Sequence, residues 1–272
     1  MSSGLDFMAK PAIDVHGHCG EYLGYPPHGA ELYNAPPAET SQRARDCAIT
    51  VTVVSELGAF DVDGNTPSDV DAANARAVEG VEQHDNLLFW AVVNPRLDGW
   101  EPKTDRLLGH PRCAGVKLHP RWNFWPVEDA RYSDRLFAFL HERNTLTLTH
   151  TGDAGNEPRT FVPWADKYAN LTMILAHIGH DWTGRSFDNQ TEAVRMSEHG
   201  NLWADTSSRA SVFGRIIERA VSRIGADRIL FGTDTPLYFA AMQKARVAYA
   251  DISDADKQKI LYDNAASLLR CG

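Results

Sequence analysis

The chain has 272 residues, of which 43% are hydrophobic and 23% are charged, a composition that is typical of a folded globular protein rather than a disordered one. The 27 Lys and Arg residues are outnumbered by 36 Asp and Glu residues, and the net charge of −9 disfavours nucleic acid or an anionic membrane surface as a partner. Four cysteines without a C-x-x-C pair predict neither a disulfide framework nor a structural zinc site.

No segment of the chain predicts export or membrane insertion. Residues 1–11 lack the apolar centre of a secretory signal, and no stretch reaches the roughly 18 apolar residues that a membrane-spanning helix needs. Together with the scattered cysteines, these features predict a cytoplasmic protein.

Eight short apolar runs, each bounded by turn-forming residues, predict eight β-strands. In chain order they cover residues 12–18, 49–56, 87–95, 114–120, 146–152, 171–179, 201–208 and 228–236. Helical patterns lie at residues 133–143, 158–168, 191–199 and 211–224, and residues 251–269 predict terminal helices. No linker or low-complexity tract interrupts this alternation.

The alternation of strands and helices predicts an α/β protein with one domain, a (β/α)8 TIM barrel over residues 1–272. The nearly continuous apolar runs suit parallel strands that are buried on both faces. A doubly wound open sheet is the competing fold. No predicted strand is followed by G-x-G-x-x-G or G-x-x-x-x-G-K-[ST], so a nucleotide-binding fold has no motif in its favour.

The first predicted strand carries two histidines, in an H-x-H pattern. Side chains alternate along a strand, which places His16 and His18 on one face and Ile13 and Val15 on the other. Such a pair is weak evidence for a metal site by itself, because strand histidines are also satisfied by ordinary hydrogen bonds. Its position at the carboxyl end of the strand makes a functional role more credible.

Polar side chains also end the fifth, sixth and eighth predicted strands, at His150, His177 and Asp234. The carboxyl ends of all eight strands meet at the mouth of a barrel, so we expect these groups to lie near His16 and His18. An aspartate after the apolar run of the eighth strand is costly to bury without a cation or hydrogen-bond donors. The pattern therefore predicts a polar site capable of binding a metal.

Six motifs in this order resemble the amidohydrolase superfamily: DVHGH (14–18), GVKLHP (115–120), LTHTG (148–152), LAHIG (175–179), FGTDTP (231–236) and DNAASLL (263–269). The resemblance is to the amidohydrolase-2 branch, which contains aminocarboxymuconate-semialdehyde decarboxylases and γ-resorcylate decarboxylases. It implies that His16, His18, His150 and Asp234 bind a catalytic divalent metal. It also implies that His177 acts in acid/base catalysis.

The chemistry of these residue types agrees with that implication. Three imidazoles and one carboxylate suit one zinc ion, with manganese or iron as alternatives. A bound metal lowers the pKa of its water to about 7, and Asp234 is then suited to orient this water and accept its proton. His177 is suited to move a proton to or from the substrate. Its alternative role is structural hydrogen bonding.

The fourth predicted strand places Lys117 and His119 on the face toward the lumen. Three roles for Lys117 stay open: contact with a substrate carboxylate, a carboxylated lysine that bridges two metals as in urease and dihydroorotase, or a buried structural ion pair. We expect the first, with one metal. His119 and Arg121 are further candidates for substrate contact.

These features predict a metal-dependent hydrolase that uses activated water on a small organic substrate, one that can carry a carboxylate. The alternative is a metal-dependent decarboxylase, a lyase, of a small aromatic or unsaturated acid. A third hypothesis is a metal-free binding protein that kept the barrel, and the retained polar positions disfavour it. We expect a small molecule as substrate, neither nucleic acid nor membrane as partner, and a homo-oligomer.

Overall fold

Eight parallel strands form one sheet in the order in which they occur along the chain. A computed structural model describes residues 5–22, 30–60, 69–208, 210 and 213–269. The strands are β1 (Ala12–Cys19), β2 (Ile49–Glu56), β3 (Leu87–Val92), β4 (Cys113–Leu118), β5 (Leu146–Thr149), β6 (Thr172–Leu175), β7 (Leu202–Asp205) and β8 (Ile229–Leu230). Each strand pairs in parallel with the next.

The last strand returns to the first and closes the sheet into the predicted (β/α)8 barrel. The Val15 amide donates to the Phe231 carbonyl at 3.0 Å, and the His18 amide donates to the Thr235 carbonyl at 2.6 Å. The buried carboxylate of Asp14 accepts from the Thr233 amide at 2.9 Å and from its hydroxyl at 2.6 Å. These bonds form the seam of the barrel.

Helices follow the strands around the outside of the barrel. Those described are α1 (Ala30–Tyr33), α2 (Pro37–Asp46), α3 (Val70–Gln83), α4 (Trp100–Leu108), α5 (Ala130–Glu142), α6 (Val162–Lys167), α7 (Asn189–Met196), α8 (Ile216–Ile224), α9 (Ala240–Ala248), α10 (Asp254–Gln258) and α11 (Asn264–Leu269). Within the described ranges, short 3-10 helices cover Leu57–Ala59, Pro158–Phe161 and Ala226–Arg228, and a π-helical segment covers Lys259–Asp263.

Several predicted elements are longer than the structure makes them: the strands predicted at 87–95, 146–152, 171–179 and 201–208 end earlier, at Val92, Thr149, Leu175 and Asp205, and the two elements that follow differ most. The helix predicted at residues 211–224 begins at Ile216, directly after Arg215, whose φ of 67° lies outside the helical region; residues 211–212 lie outside the described part of the chain. The strand predicted at 228–236 is reduced to two residues. Beyond it, Thr233 bonds to the Asp14 side chain instead of continuing the ladder.

The prediction that Ile13 and Val15 lie on the face of β1 opposite to His16 and His18 is wrong, because all four side chains lie inside the barrel. Ile13 and Val15 belong to a buried cluster that also contains side chains from β2, β3, β5, β6 and β8, and these strands meet only inside the barrel. The pairing of β1 with β2 is irregular between Asp14 and Gly17, so strict alternation fails there. The result is an apolar layer below a polar layer in one lumen.

Candidate metal centre

The two histidines of β1 meet the aspartate that follows β8. The Nε2 atom of His18 lies 3.0 Å from Oδ1 of Asp234, and Nε2 of His16 lies 3.5 Å from the same oxygen. All three side chains are buried. A side chain at Gly17 would place its Cβ 2.5 Å from Cγ2 of Thr52, so the glycine lets β1 approach β2 closely while both histidines turn inward.

Hydrogen bonds on the far side of each ring orient these histidines. The Nδ1 atom of His16 lies 2.8 Å from Oδ2 of Asp205, and a carboxylate accepts, so this nitrogen carries the proton. The Nδ1 atom of His18 lies 2.9 Å from the Ser55 hydroxyl and 3.3 Å from the Ser55 carbonyl, and both can accept. These partners allow each ring to present an unprotonated Nε2 to a cation bound beside Asp234.

This arrangement passes a simple test of fit for a divalent metal. The ligand atoms of His16, His18 and Asp234 all lie within 4.8 Å of one another. An imidazole lone pair that faces a carboxylate oxygen repels it unless a cation lies between them. Nitrogen and oxygen donors of this kind suit zinc, manganese or iron. The cluster is therefore able to hold a divalent ion.

The environment keeps Asp234 ionised and His18 neutral. Burial alone would raise the pKa of Asp234, but the His16 and His18 rings outweigh it and hold this pKa well below its usual range. Burial lowers the pKa of His18 to about 4. The backbone of Asp234 adopts a φ of 58°, and its amide donates to the His16 carbonyl at 2.6 Å. A strained backbone of this kind is common at functional sites.

The other two predicted histidines pair with each other. The Nε2 atom of His177 lies 2.9 Å from Nδ1 of His150, and Nδ1 of His177 lies 2.7 Å from the Ser207 carbonyl. The His177 ring centroid is 4.9 Å from that of His16. Three of the four predicted ligands thus lie together, and His150 adjoins them through His177. Burial lowers the pKa of His150 and lowers that of His177 further.

Lys117 lies at the centre of the site. Its Nζ atom is 2.8 Å from Nε2 of His16, and the side chain is buried. Burial lowers its pKa to about 8, although the charges of Asp234 and Asp205 oppose the change. Among the described residues, no carboxylate forms an ion pair with Nζ. This disfavours the structural ion pair among the three roles considered.

His119 and Arg121, the further candidates for substrate contact, line the same cavity but differ in how far they are exposed. The His119 ring is buried and stacked between His150, at 4.1 Å between centroids, and Trp122, at 4.2 Å. The Arg121 guanidinium is half-exposed, and its Nη1 atom lies 2.7 Å from Oδ1 of Asp153. The cavity measures about 260 Å³ and has a wall of aromatic rings that includes Tyr22 and Trp122.

Sequence reasoning missed the carboxylates that hold the histidines. Asp205 is buried at the end of β7, where it binds His16, and its pKa lies below its usual range because nearby His16 outweighs the effect of burial. Asp153 follows His150 by three residues and lies 2.7 Å from its Nε2 atom. The position of Asp205 at a strand end was a usable signal. Nothing in the sequence pairs it with His16.

Comparison with known proteins decides the family. A family model described as amidohydrolase matches residues 13–271. The chain belongs to the amidohydrolase family. Its curated relatives include γ-resorcylate decarboxylase from Rhizobium radiobacter, with 29% identity over 214 residues, or 76% of this chain and 58% of the relative. A γ-resorcylate decarboxylase from Polaromonas is 26% identical over 55% of this chain and 54% of its own length.

The chain therefore spans a little over half the length of these curated relatives. Their names favour the decarboxylase alternative over the hydrolase that the sequence analysis placed first. The solved structure of a dihydroxybenzoic acid decarboxylase from Polaromonas, with bound manganese and 2-nitroresorcinol, has a TM-score of 0.69 at 16% identity, covering 96% of this chain and 97% of that one. At this identity the likeness shows the shared fold.

The remaining predictions concern membrane insertion, cellular location and oligomeric state. No helix in the described ranges has the length and apolar character needed to cross a membrane. The cytoplasmic location and the homo-oligomer stay predictions. Sedimentation equilibrium of the purified chain tests the oligomer.

Proposed function

We propose that this amidohydrolase is a divalent-metal-dependent decarboxylase of a small aromatic acid. The observation that carries the proposal is the buried ammonium group of Lys117, which lies beside the cluster of His16, His18 and Asp234 in a cavity with an aromatic wall. A cationic pocket suits the carboxylate of such an acid, and the aromatic wall suits its ring. The decarboxylase relatives support this choice over hydrolysis.

We propose His16, His18, His150 and Asp234 as the ligands of a single divalent ion, with Lys117 uncarboxylated. When bound, the ion supplies positive charge that holds the oxygen atoms of the substrate. The donor set accommodates zinc, manganese or iron. Manganese is the ion to test first, because a decarboxylase of the same fold holds it.

The protein groups have separate roles in this proposal. Lys117 binds the substrate carboxylate, and His119 and Arg121 contact the substrate from the wall and the mouth of the cavity. His177 supplies the proton. Its Nδ1 atom is held by the Ser207 carbonyl, so proton exchange takes place at Nε2. This nitrogen carries no proton in the neutral ring, so it takes one from water in the cavity before it gives it to the substrate.

The reaction balances without an oxidant or a reductant. The bond between the ring carbon and the carboxylate breaks, and its electron pair remains on the ring carbon. That carbon takes the proton from His177 while carbon dioxide leaves. The ring product therefore carries a new hydrogen where the carboxylate was.

The experiment measures the release of carbon dioxide and the origin of the new hydrogen on the ring product. Purified protein loaded with Mn²⁺ is incubated in D2O with 2,6-dihydroxybenzoate and with other hydroxybenzoates. We expect carbon dioxide and the ring product in equal amounts, with deuterium at the vacated carbon. The metal-free protein is the control. Hydrolysis of esters, lactones or amides with no carbon dioxide from any aromatic acid would contradict the proposal and restore the hydrolase hypothesis.

A further inference from the structure

The loop after β5 presents a carboxylate to a proposed metal ligand. Oδ2 of Asp153 lies 2.7 Å from Nε2 of His150, and its side chain is only 9% exposed. Its other oxygen, Oδ1, lies 2.7 Å from Nη1 of Arg121 and 3.3 Å from Nε2 of His180. One oxygen therefore serves His150, and the other is held by two groups at the mouth of the cavity.

The local backbone keeps this carboxylate in place. The Asp153 amide donates to Oδ1 of Asn156 at 2.8 Å, and the Gly152 amide donates to the Asn156 carbonyl at 3.2 Å. Gly152 has a φ of 102°, and a side chain there would place its Cβ 2.5 Å from the His180 carbonyl. Glycine is thus required for the loop to bring Asp153 between His150 and His180.

The hydrogen bonds restrict where the two paired histidines carry their protons. A carboxylate only accepts, so the contact with Asp153 places a proton on Nε2 of His150. The Ser207 carbonyl likewise places a proton on Nδ1 of His177. In their neutral forms, His150 then has an unprotonated Nδ1 and His177 an unprotonated Nε2. These two nitrogens face each other at 2.9 Å.

We propose that Asp153 is a positioning residue that sets the tautomer of His150, keeping Nδ1 unprotonated and available to a divalent cation. Without the carboxylate, a neutral His150 gains by moving its proton to Nδ1, where it donates to Nε2 of His177. In that tautomer Nδ1 of His150 carries a proton, so this nitrogen has no lone pair with which to bind the metal. Asp153 acts through His150 and does not touch the substrate. The inference rests on the proposed role of His150 as a ligand, and it is independent of the reaction.

Two variants separate this role from a general structural one. Asp153→Ala removes the acceptor, whereas Asp153→Asn keeps an amide oxygen that can accept from Nε2 and should partly restore the wild-type tautomer. Asp181→Ala is the matched control, because Asp181 is a loop carboxylate that accepts from the amides of Thr183, Arg185 and Ser186. Circular dichroism checks the fold of each variant.

The first measurement is the ring ¹⁵N spectrum of the full-length, histidine-labelled chain after chelation. We expect the Nε2–H tautomer of His150 in the wild type and in Asp181→Ala, and the Nδ1–H tautomer in Asp153→Ala. The second is a Mn²⁺ titration against a competing chelator. Loss of an outer partner of a ligand typically weakens metal binding by about 10- to 100-fold, and we expect this for Asp153→Ala with a smaller loss for Asp153→Asn.

An unchanged His150 tautomer in Asp153→Ala would overturn the proposal. A changed tautomer with Mn²⁺ affinity within about threefold of the wild type would also overturn it, and it would remove His150 from the ligand set. Neither result depends on turnover. A failure of the decarboxylase assay would therefore be distinct from a failure of this inference.

Discussion

The clearest single test of the metal centre is Asp205→Asn. Asp205 is fully buried, and its two oxygens accept hydrogen bonds from different donors. Oδ2 accepts from Nδ1 of His16 at 2.8 Å. Oδ1 accepts from the His177 amide at 2.9 Å, the Ser207 amide at 2.9 Å and the Ser207 hydroxyl at 2.5 Å. An asparagine has one accepting oxygen, so it cannot accept from His16 and from the three donors at Oδ1 at the same time.

The three donors at Oδ1 decide which way the asparagine turns. Its oxygen stays with them, and its amide NH2 group then faces Nδ1 of His16. Two N–H groups cannot face each other, so His16 moves its proton to Nε2, the atom directed toward Asp234. We expect metal binding to weaken by about 10- to 100-fold, or about 1.4–2.7 kcal/mol.

The assay is a titration of the chelated protein with Mn²⁺ in competition with a chelator of known affinity. Ser207→Ala is the matched control, because the Ser207 hydroxyl also lies 2.7 Å from Nδ1 of His16 but leaves the carboxylate in place. We expect a smaller loss for that variant. Mn²⁺ affinity of a folded Asp205→Asn protein within about threefold of the wild type would refute the reasoning.

Replacing both His16 and His18 with Ala should abolish metal content measured by mass spectrometry, and unchanged occupancy would contradict the ligand assignment. Asp234→Asn should leave the fold intact by circular dichroism and abolish turnover, so activity near that of the wild type would end this assignment. His177→Asn should lower kcat by about a hundredfold or more, whereas a loss of metal at unchanged rate would make His177 a ligand. Burial lowers the pKa of Lys117 to about 8, and its ammonium is lost as the pH rises through that value. KM for an anionic substrate should therefore rise above about pH 8. The Lys117→Ala variant should show a high KM at every pH and should still bind about one equivalent of metal. Binding of a second equivalent of metal that depends on bicarbonate would instead indicate a carbamate on Lys117.

The sequence was sufficient to predict the eight strands and the end of the barrel at which the chemistry lies. Apolar runs mark buried strands, and polar residues such as His16, His177 and Asp234 lie near the carboxyl ends of those strands. Because the strands of a barrel are parallel, their carboxyl ends all lie at one mouth of the barrel, whatever the sequences of the loops. The fold class and the clustering of these side chains therefore depend on local pattern alone.

The orientation of each ring depended on contacts that no local pattern contains. Asp205 binds His16 across 189 residues of chain, and it carries no motif of its own. The inward position of Val15 depends on the irregular pairing of β1 with β2, which a period of two cannot anticipate. Hydrogen-bond partners and register shifts are set by the packed barrel, so they became visible only in three dimensions.

The seam of the barrel also sets when the protein can fold during synthesis. His18 on β1 and its partner Asp234 are 216 residues apart in the chain. At a translation rate of about 5–20 residues per second, Asp234 is made about 10–40 s after His18. During that interval β1 has β2 beside it but an open edge where β8 will bind, and such an edge can pair with other chains. A chaperone that shields this edge on the ribosome would protect the nascent chain when it is most prone to aggregate.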